Sequence, residues 1–217
     1  MTVTIAEELL LLAHSEDQGK PLISAIQLDP ALAGAILAEL AIHDRVELSK
    51  KKLAVKDPTP LGDEELDAAL ALITAKGGTR NPAWWVQKLQ SGKLRNRLLT
   101  RLAASGVLTE ERVKVMGIFP VTRWPEAHPG VEANVRERVS AVLAGADPDA
   151  RTAVLIAITH AAKLDRKAFP GADKARIKEI AEGAWAADAV AKTIAAINAA
   201  AMVAVTAAAT AGAAGSS

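Results

Sequence analysis

Four cations crowd one short amphipathic segment: Lys93, Arg95, Arg97 and Arg101 lie within or just before a predicted helix that runs from Leu94 to Ser105 and stops at Gly106. Between Asp67 and Glu110 there is no acidic residue, while Lys76, Arg80 and Lys88 bring the positive charges there to seven. Like charges on neighbouring turns repel one another unless an anion lies between them. The chemistry on offer is therefore anion capture. Arginine forks bind phosphate oxygens in pairs, and the free amides at a helix start favour negative charge near Lys93 and Arg95. Arg97 and Arg101 are four apart and share a face, whereas Arg95 lies off it. A plainer reading of the same residues has them solvating the outer face, with Leu94, Leu98, Leu99 and Leu102 turned to the core.

The segment that follows bears on that choice. Val107 to Trp124 is rich in β-branched residues around Gly117 and Pro120, and it reads as a β-hairpin with Val115, Met116, Ile118 and Phe119 near its tip. An apolar tip beside a basic patch is the combination by which peripheral membrane proteins hold a bilayer. The competing reading is a core strand. Lys50, Lys51 and Lys52 form either a solvated turn or a further attraction to an anionic surface, worth on the order of 1 kcal/mol each near such lipids. Trp84 and Trp85 are adjacent on a helix and point about 100° apart, so one belongs to the core and one to the periphery.

Signals for catalysis are poor. His14, His43, His128 and His160 show no metal-ligand spacing, and no glycine-rich phosphate loop, nucleophile elbow or dinucleotide fingerprint is present. The acids from Asp57 to Asp67 suit a helix start and need no catalytic role. A binding protein without cofactor or metal is expected. A basic helix followed by a hairpin also has the order of a recognition helix and wing, but the apolar tip and acidic Glu110 and Glu111 argue against nucleic acid as the partner. A protein adaptor is the third reading.

The elements that must position these residues follow from periodicity and caps. Thr4 and Glu7 form a capping box for a helix to about His14. Asp29 and Pro30 predict a second helix from Pro30 to about His43. Arg45 to Val55 reads as a short hairpin or extended piece, and Asp57 to Gly62 as a loop broken by two prolines. Helical period resumes over Glu64 to Lys76, and Asn81 and Pro82 cap the helix of the tryptophans. Later helices run from Val131 to Gly145, from Asp147, and after Pro170 and Gly183. The expected architecture is mainly α, a single-domain bundle of about eight helices with one β-hairpin at about Val107 to Trp124.

Composition agrees with that outline. The chain has 217 residues, half of them apolar, with no cysteine and no tyrosine. Ala, Leu, Val and Ile dominate, which suits closely packed helices. The absence of cysteine excludes disulfides and thiolate sites and fits a reducing compartment. Met1 to Glu8 does not read as a secretory signal, and a cytoplasmic location is expected. Thr193 to Ala209 is uncharged but too Ala-rich for a strong span, and reads as a buried helix. Residues 1–200 form the expected domain, and residues 201–217 an Ala-rich tail that frays into disorder from Ala211.

Five ordered stretches resemble the Golgi phosphoprotein 3 family: TIAEELLLL from Thr4, AGAILAELAIHDRVEL from Ala33, DPTPLGDEELDAAL from Asp57, LRNRLLTRLAASGVLTEE from Leu94 and LIAITHAAKLDRKAF from Leu155. The Ala-rich, Cys-free composition is closer to a bacterial member than to a Golgi resident. The resemblance implies a helical fold, a peripheral membrane role, recognition of phosphatidylinositol 4-phosphate, and a hairpin that contacts membrane or mediates self-association. It also implies an arginine of the headgroup pocket at Arg95. Gly92 stands where a second arginine is expected, with Lys93 beside it, and Ser24 and Ala33 replace an expected tryptophan and arginine. The resulting expectation is an anionic phospholipid bound by Lys93, Arg95 and Arg97, with Val115, Met116, Ile118 and Phe119 against the membrane.

Overall fold

The computed structural model describes residues 3–116, 118–128, 130–182 and 189–214. Among them are ten helices and two antiparallel hairpins. The helices are α1 (Ile5–Leu12), α2 (Ala25–Ile42), α3 (Glu64–Lys76), α4 (Pro82–Leu89), α5 (Gly92–Ala104), α6 (Gly130–Leu143), α7 (Ala150–Ala161), α8 (Asp165–Ala168), α9 (Lys174–Ala181) and α10 (Ala189–Ala214). The first hairpin pairs β1 (Val46–Ser49) with β2 (Lys52–Val55), and the second pairs β3 (Glu111–Val115) with β4 (Phe119–Arg123). The mainly helical expectation holds, and the segment from Arg45 to Val55 is a hairpin in its own right.

The core is built around α2, which α1, α3, α4, α7 and α10 surround. Its middle, from Ala31 to Ala41, is buried and apolar apart from Glu39, and Gly34 lets α10 approach so closely that an added Cβ would stand 3.0 Å from the Ala201 Cβ. Small residues at such a crossing bring helix axes together. Both α2 and α10 are long and apolar enough to cross a membrane by length and composition alone. Here they pack on one another inside the fold. α10 runs unbroken past Ala200 to Ala214, with Ala201, Ala204 and Val205 buried. Gly183 and residues 215–217 of the expected tail lie outside the described residues.

One boundary differs from expectation in a way that matters for the site. The Asp29–Pro30 pair does not start α2. Ser24 does, through a capping box with Gln27, and Pro30 sits inside the helix. Burial of Leu28, Ala31 and Leu32 along one continuous helix outweighs the hydrogen bond that a proline in the helix interior forgoes. Asp29 thereby becomes a helical side chain.

Buried acids lock α1 into place. The Glu7 carboxylate closes the predicted capping box, accepting from the Thr4 amide at 2.8 Å and from the Arg101 Nε at 2.6 Å. Arg101 also holds Asp63 at 2.7 Å, ahead of α3. Arg151 of α7 spans Glu8 and Glu39, and Glu39 accepts the Ile5 amide at 2.7 Å. Burial pushes the Glu39 carboxyl up, while Arg151 opposes it. Charges this deep persist only when paired and hydrogen-bonded.

A candidate headgroup cleft at the base of an apolar hairpin

The Ser91 hydroxyl accepts the Leu94 amide at 3.1 Å and starts α5, and Gly106, with φ of 76°, ends it in the left-handed region. Leu94, Leu98, Leu99 and Leu102 are buried as the amphipathic pattern predicts. The cations therefore ring the other side of the helix, but they do not converge. Arg95 turns toward α2 and pairs with Asp29. Arg97 turns toward α3, its Nη2 donating to Glu65 at 2.8 Å, and this hydrogen bond is the main reason its pKa is raised. Lys93 is exposed in the first turn, with no ion pair among the described residues. The expectation of unneutralised arginines on α5 is thus corrected: Asp29, Glu65, Glu7 and Asp63 supply the counter-charges from positions distant in sequence.

Of the three expected headgroup residues, Arg95 alone lines a cleft beside the second hairpin. This cleft, of about 410 Å³, lies between the α1–α2 connection, α5 and β4. Besides Arg95, its polar lining includes His14, Asn96, Thr100, Glu110 and Thr122, and Trp124 gives it an indole wall. The His14 Nδ1 lies 2.8 Å from the Leu10 carbonyl, which can only accept, so the proton is on Nδ1. Burial above all lowers the His14 pKa; the Leu10 hydrogen bond opposes this, and the Arg95 charge adds to it. A neutral imidazole therefore gives the cleft shape, and Arg95 is the cation of its lining, offset by Glu110 and by its Asp29 partner. Lys93 and Arg97 do not line this cleft, and Arg97 borders a separate one with Glu64 and Glu65.

The hairpin rises from the same cleft. Its base is tied to the body where the Trp124 amide donates to the Gly19 carbonyl at 3.1 Å and the Ala127 amide to the Val107 carbonyl at 2.9 Å. Its tip is exposed: Met116 is 85%, Ile118 75% and Phe119 62% accessible. The core-strand reading of these three residues does not hold. Val115 ends β3, while its side chain and Gly117 lie outside the description. Phe119 precedes the cleft-lining Thr122 by three residues of one strand, roughly 10 Å at the usual rise. An apolar element of that reach matches the depth, about 5 to 10 Å, to which interfacial segments enter a bilayer.

Sequence reasoning did not single out His14, Asn96, Thr100, Thr122 or Trp124 as cleft residues. Their only signal was proximity to a basic helix or membership of a hairpin. Ser24 is occupied as the α2 cap, although its neighbours Ile23 and Ala25 line the cleft, and Ala33 is buried in the core. Among the described residues no cluster of His and acidic side chains is arranged to hold a metal ion.

A family model, Golgi phosphoprotein 3 (GPP34), matches residues 5–197. That span takes in every element from α1 to the first turns of α10. The chain belongs to the Golgi phosphoprotein 3 family. It is also similar to vacuolar protein sorting-associated protein 74 of Eremothecium gossypii, at 27% identity over 166 residues, 65% of this chain and 49% of that protein. The chain thus spans about half the length of the curated relative it matches. The match to the Golgi phosphoprotein 3 model includes the Arg95 cleft and the whole second hairpin.

Proposed function

We propose that this protein docks reversibly on the cytoplasmic face of a membrane, taking the phosphate of an anionic phospholipid headgroup into the Arg95 cleft while Met116, Ile118 and Phe119 enter the acyl boundary. The observation that carries this reading is the placement of an exposed apolar tip and an arginine-lined cleft on one β-strand. A soluble protein gains nothing by presenting such a tip to water, whereas a lipid surface rewards it by about 1.5 to 3 kcal/mol for a fully buried Phe. Family membership supports a phosphoinositide, with phosphatidylinositol 4-phosphate the first headgroup to test. Lys93, exposed beside the cleft helix, and Arg97 add attraction at longer range. The Trp124 indole supplies an aromatic wall where Ser24 supplies none.

Arg95 is held by Asp29 in the free protein, so a headgroup phosphate must displace that carboxylate. This exchange makes the reading testable by co-sedimentation with acidic vesicles at moderate salt. Arg95→Ala should weaken binding, and Asp29→Asn should strengthen it by freeing the guanidinium. Phe119→Asp should weaken it at least about tenfold without unfolding the protein. Unchanged binding in Asp29→Asn and Arg95→Ala would reject the cleft, and unchanged binding in Phe119→Asp would reject insertion.

A further inference from the structure

The first hairpin ends in a two-residue turn made of Lys50 and Lys51, with φ of 47° and 63°. Asn-Gly and Asp-Gly are the usual occupants of such a turn, because most side chains are strained at positive φ by roughly 1 to 2 kcal/mol per residue. Two consecutive lysines accept that strain here, at the border of a hollow. Lys50, Lys51 and Lys52 line one side of a cleft of about 310 Å³, and Thr79, Arg80, Asn81 and Trp84 line the other.

The far wall is firmly held. The Leu53 amide donates to the Arg80 carbonyl at 2.9 Å, fixing the α3–α4 connection to β2. The Asn81 side chain accepts the Trp84 amide at 2.9 Å and caps α4. Trp84 stands edge-on to buried Trp85, with ring centres 4.9 Å apart, and the Arg80 guanidinium carbon lies 5.1 Å from the Trp84 ring centre. Arg80 is thereby positioned by a ring face, which leaves its hydrogen-bond donors available.

Charge distinguishes this cleft from the one beside α5. No carboxylate lines it, and none of Lys50, Lys51, Lys52 and Arg80 forms an ion pair among the described residues. By contrast, Arg95, Arg97 and Arg101 each have a carboxylate partner. Four cations facing one hollow without a counter-charge form the arrangement that a multivalent anion relieves. We propose that this cleft is a second anion site, sharing no residue with the Arg95 cleft, that takes a cluster of phosphate groups such as a polyphosphate or a multiply phosphorylated headgroup. The lysines supply point charges from the strained turn, and Arg80 a planar fork.

The test uses the full chain titrated calorimetrically with tripolyphosphate at moderate salt, with tryptophan fluorescence as a second readout. Replacing Lys50 by Asn and Lys51 by Gly together keeps the turn and removes its strain. This double variant should melt no lower than the parent yet bind tripolyphosphate at least about tenfold more weakly. Arg80→Gln should also weaken binding, while Lys88→Gln, which removes an exposed cation of α4 outside the cleft, should leave it unchanged. Absence of tripolyphosphate binding by the parent, or undiminished binding by both cleft variants, would overturn the proposal. The source of the phosphate is read from vesicles carrying a bisphosphorylated phosphatidylinositol, compared with soluble inositol trisphosphate. Vesicle binding lost by the double turn variant assigns the site to lipid; binding of the soluble compound without the vesicles assigns it to free phosphates. Because the hairpin variants are scored separately, failure here leaves the Arg95 cleft untouched.

Discussion

The two hairpins are built alike and used oppositely. In the first, Leu48 and Leu53 face each other across the strands, and their amides point outward, one to the Thr193 hydroxyl on α10 at 2.9 Å and one to the Arg80 carbonyl at 2.9 Å. Val46 and Leu53 are buried, so both edges and one face of this hairpin belong to the body, while Glu47, Ser49 and the cationic tip are in water. In the second, every residue from Phe119 to Thr122 is exposed, and Pro120 removes a donor from β4. A two-stranded ribbon is marginal by itself in water. The first gains its stability from the core, while the second is held at its base and presents its apolar residues outward. The contrast separates residues kept for folding from residues kept for contact.

The largest expected effect breaks the first hairpin from the core. Leu53→Ala should cost about 2 to 5 kcal/mol, since it empties a fully buried site between β2 and the body. Val121→Ala, in the second strand of the other hairpin, should stay within about 0.5 kcal/mol. Chemical denaturation of the two variants measures both. Equal losses would mean that the second hairpin is packed in solution after all.

A smaller effect, dependent on pH, should arise on α6 next to the base of the second hairpin. Glu126 follows its base, bridged to Leu108, and accepts the Glu132 amide at 3.3 Å. Burial raises the Glu132 carboxyl to about 7, with Glu16 and Glu126 adding to the rise and Arg136 opposing it. A carboxyl raised in the folded state binds its proton more tightly there than in the unfolded chain. Its contribution to stability is complete below the unfolded value of 4.5 and is lost as pH rises through about 7. Stability of the parent should therefore fall across that interval, and Glu132→Gln should flatten the fall. Denaturation midpoints from pH 5 to 8 decide it; a Glu132→Gln curve parallel to the parent's would show that Glu132 is ionised throughout.

Much of the fold was legible because its signals are local. The Thr4–Glu7 box, the Asn81–Pro82 cap, the leucine stripe of α5 and the Gly106 stop all operate within a few residues, and each appears as read. The start of α2 was misread because Asp29–Pro30 is a strong local signal that continuous burial overrides. The charge state of α5 was illegible for a different reason. Its counter-ions lie 66, 32 and 94 residues away, in Asp29, Glu65 and Glu7, and only the packing of α1, α2 and α3 against α5 brings them within reach. The lysine run was the reverse case: read as a solvated turn or a weak attraction, it gains meaning only once Arg80 and Trp84 close the other side. Spacing along one helix shows which cations are neighbours, but a third element decides which are free.

The smallest expected effect sharpens the comparison most. Ile118→Ser with Phe119→Ser removes two large apolar groups from the second tip, where they are 75% and 62% accessible. Groups already in water lose little hydrophobic stabilisation when replaced, so unfolding free energy should move by no more than about 0.5 kcal/mol. Vesicle binding should nevertheless fall, because those groups leave water only when a membrane is present. Denaturation and co-sedimentation on one preparation separate the two quantities. A stability loss comparable to that of Leu53→Ala would place the tip in a folding role, and a stable variant with undiminished binding would leave it without one at the membrane.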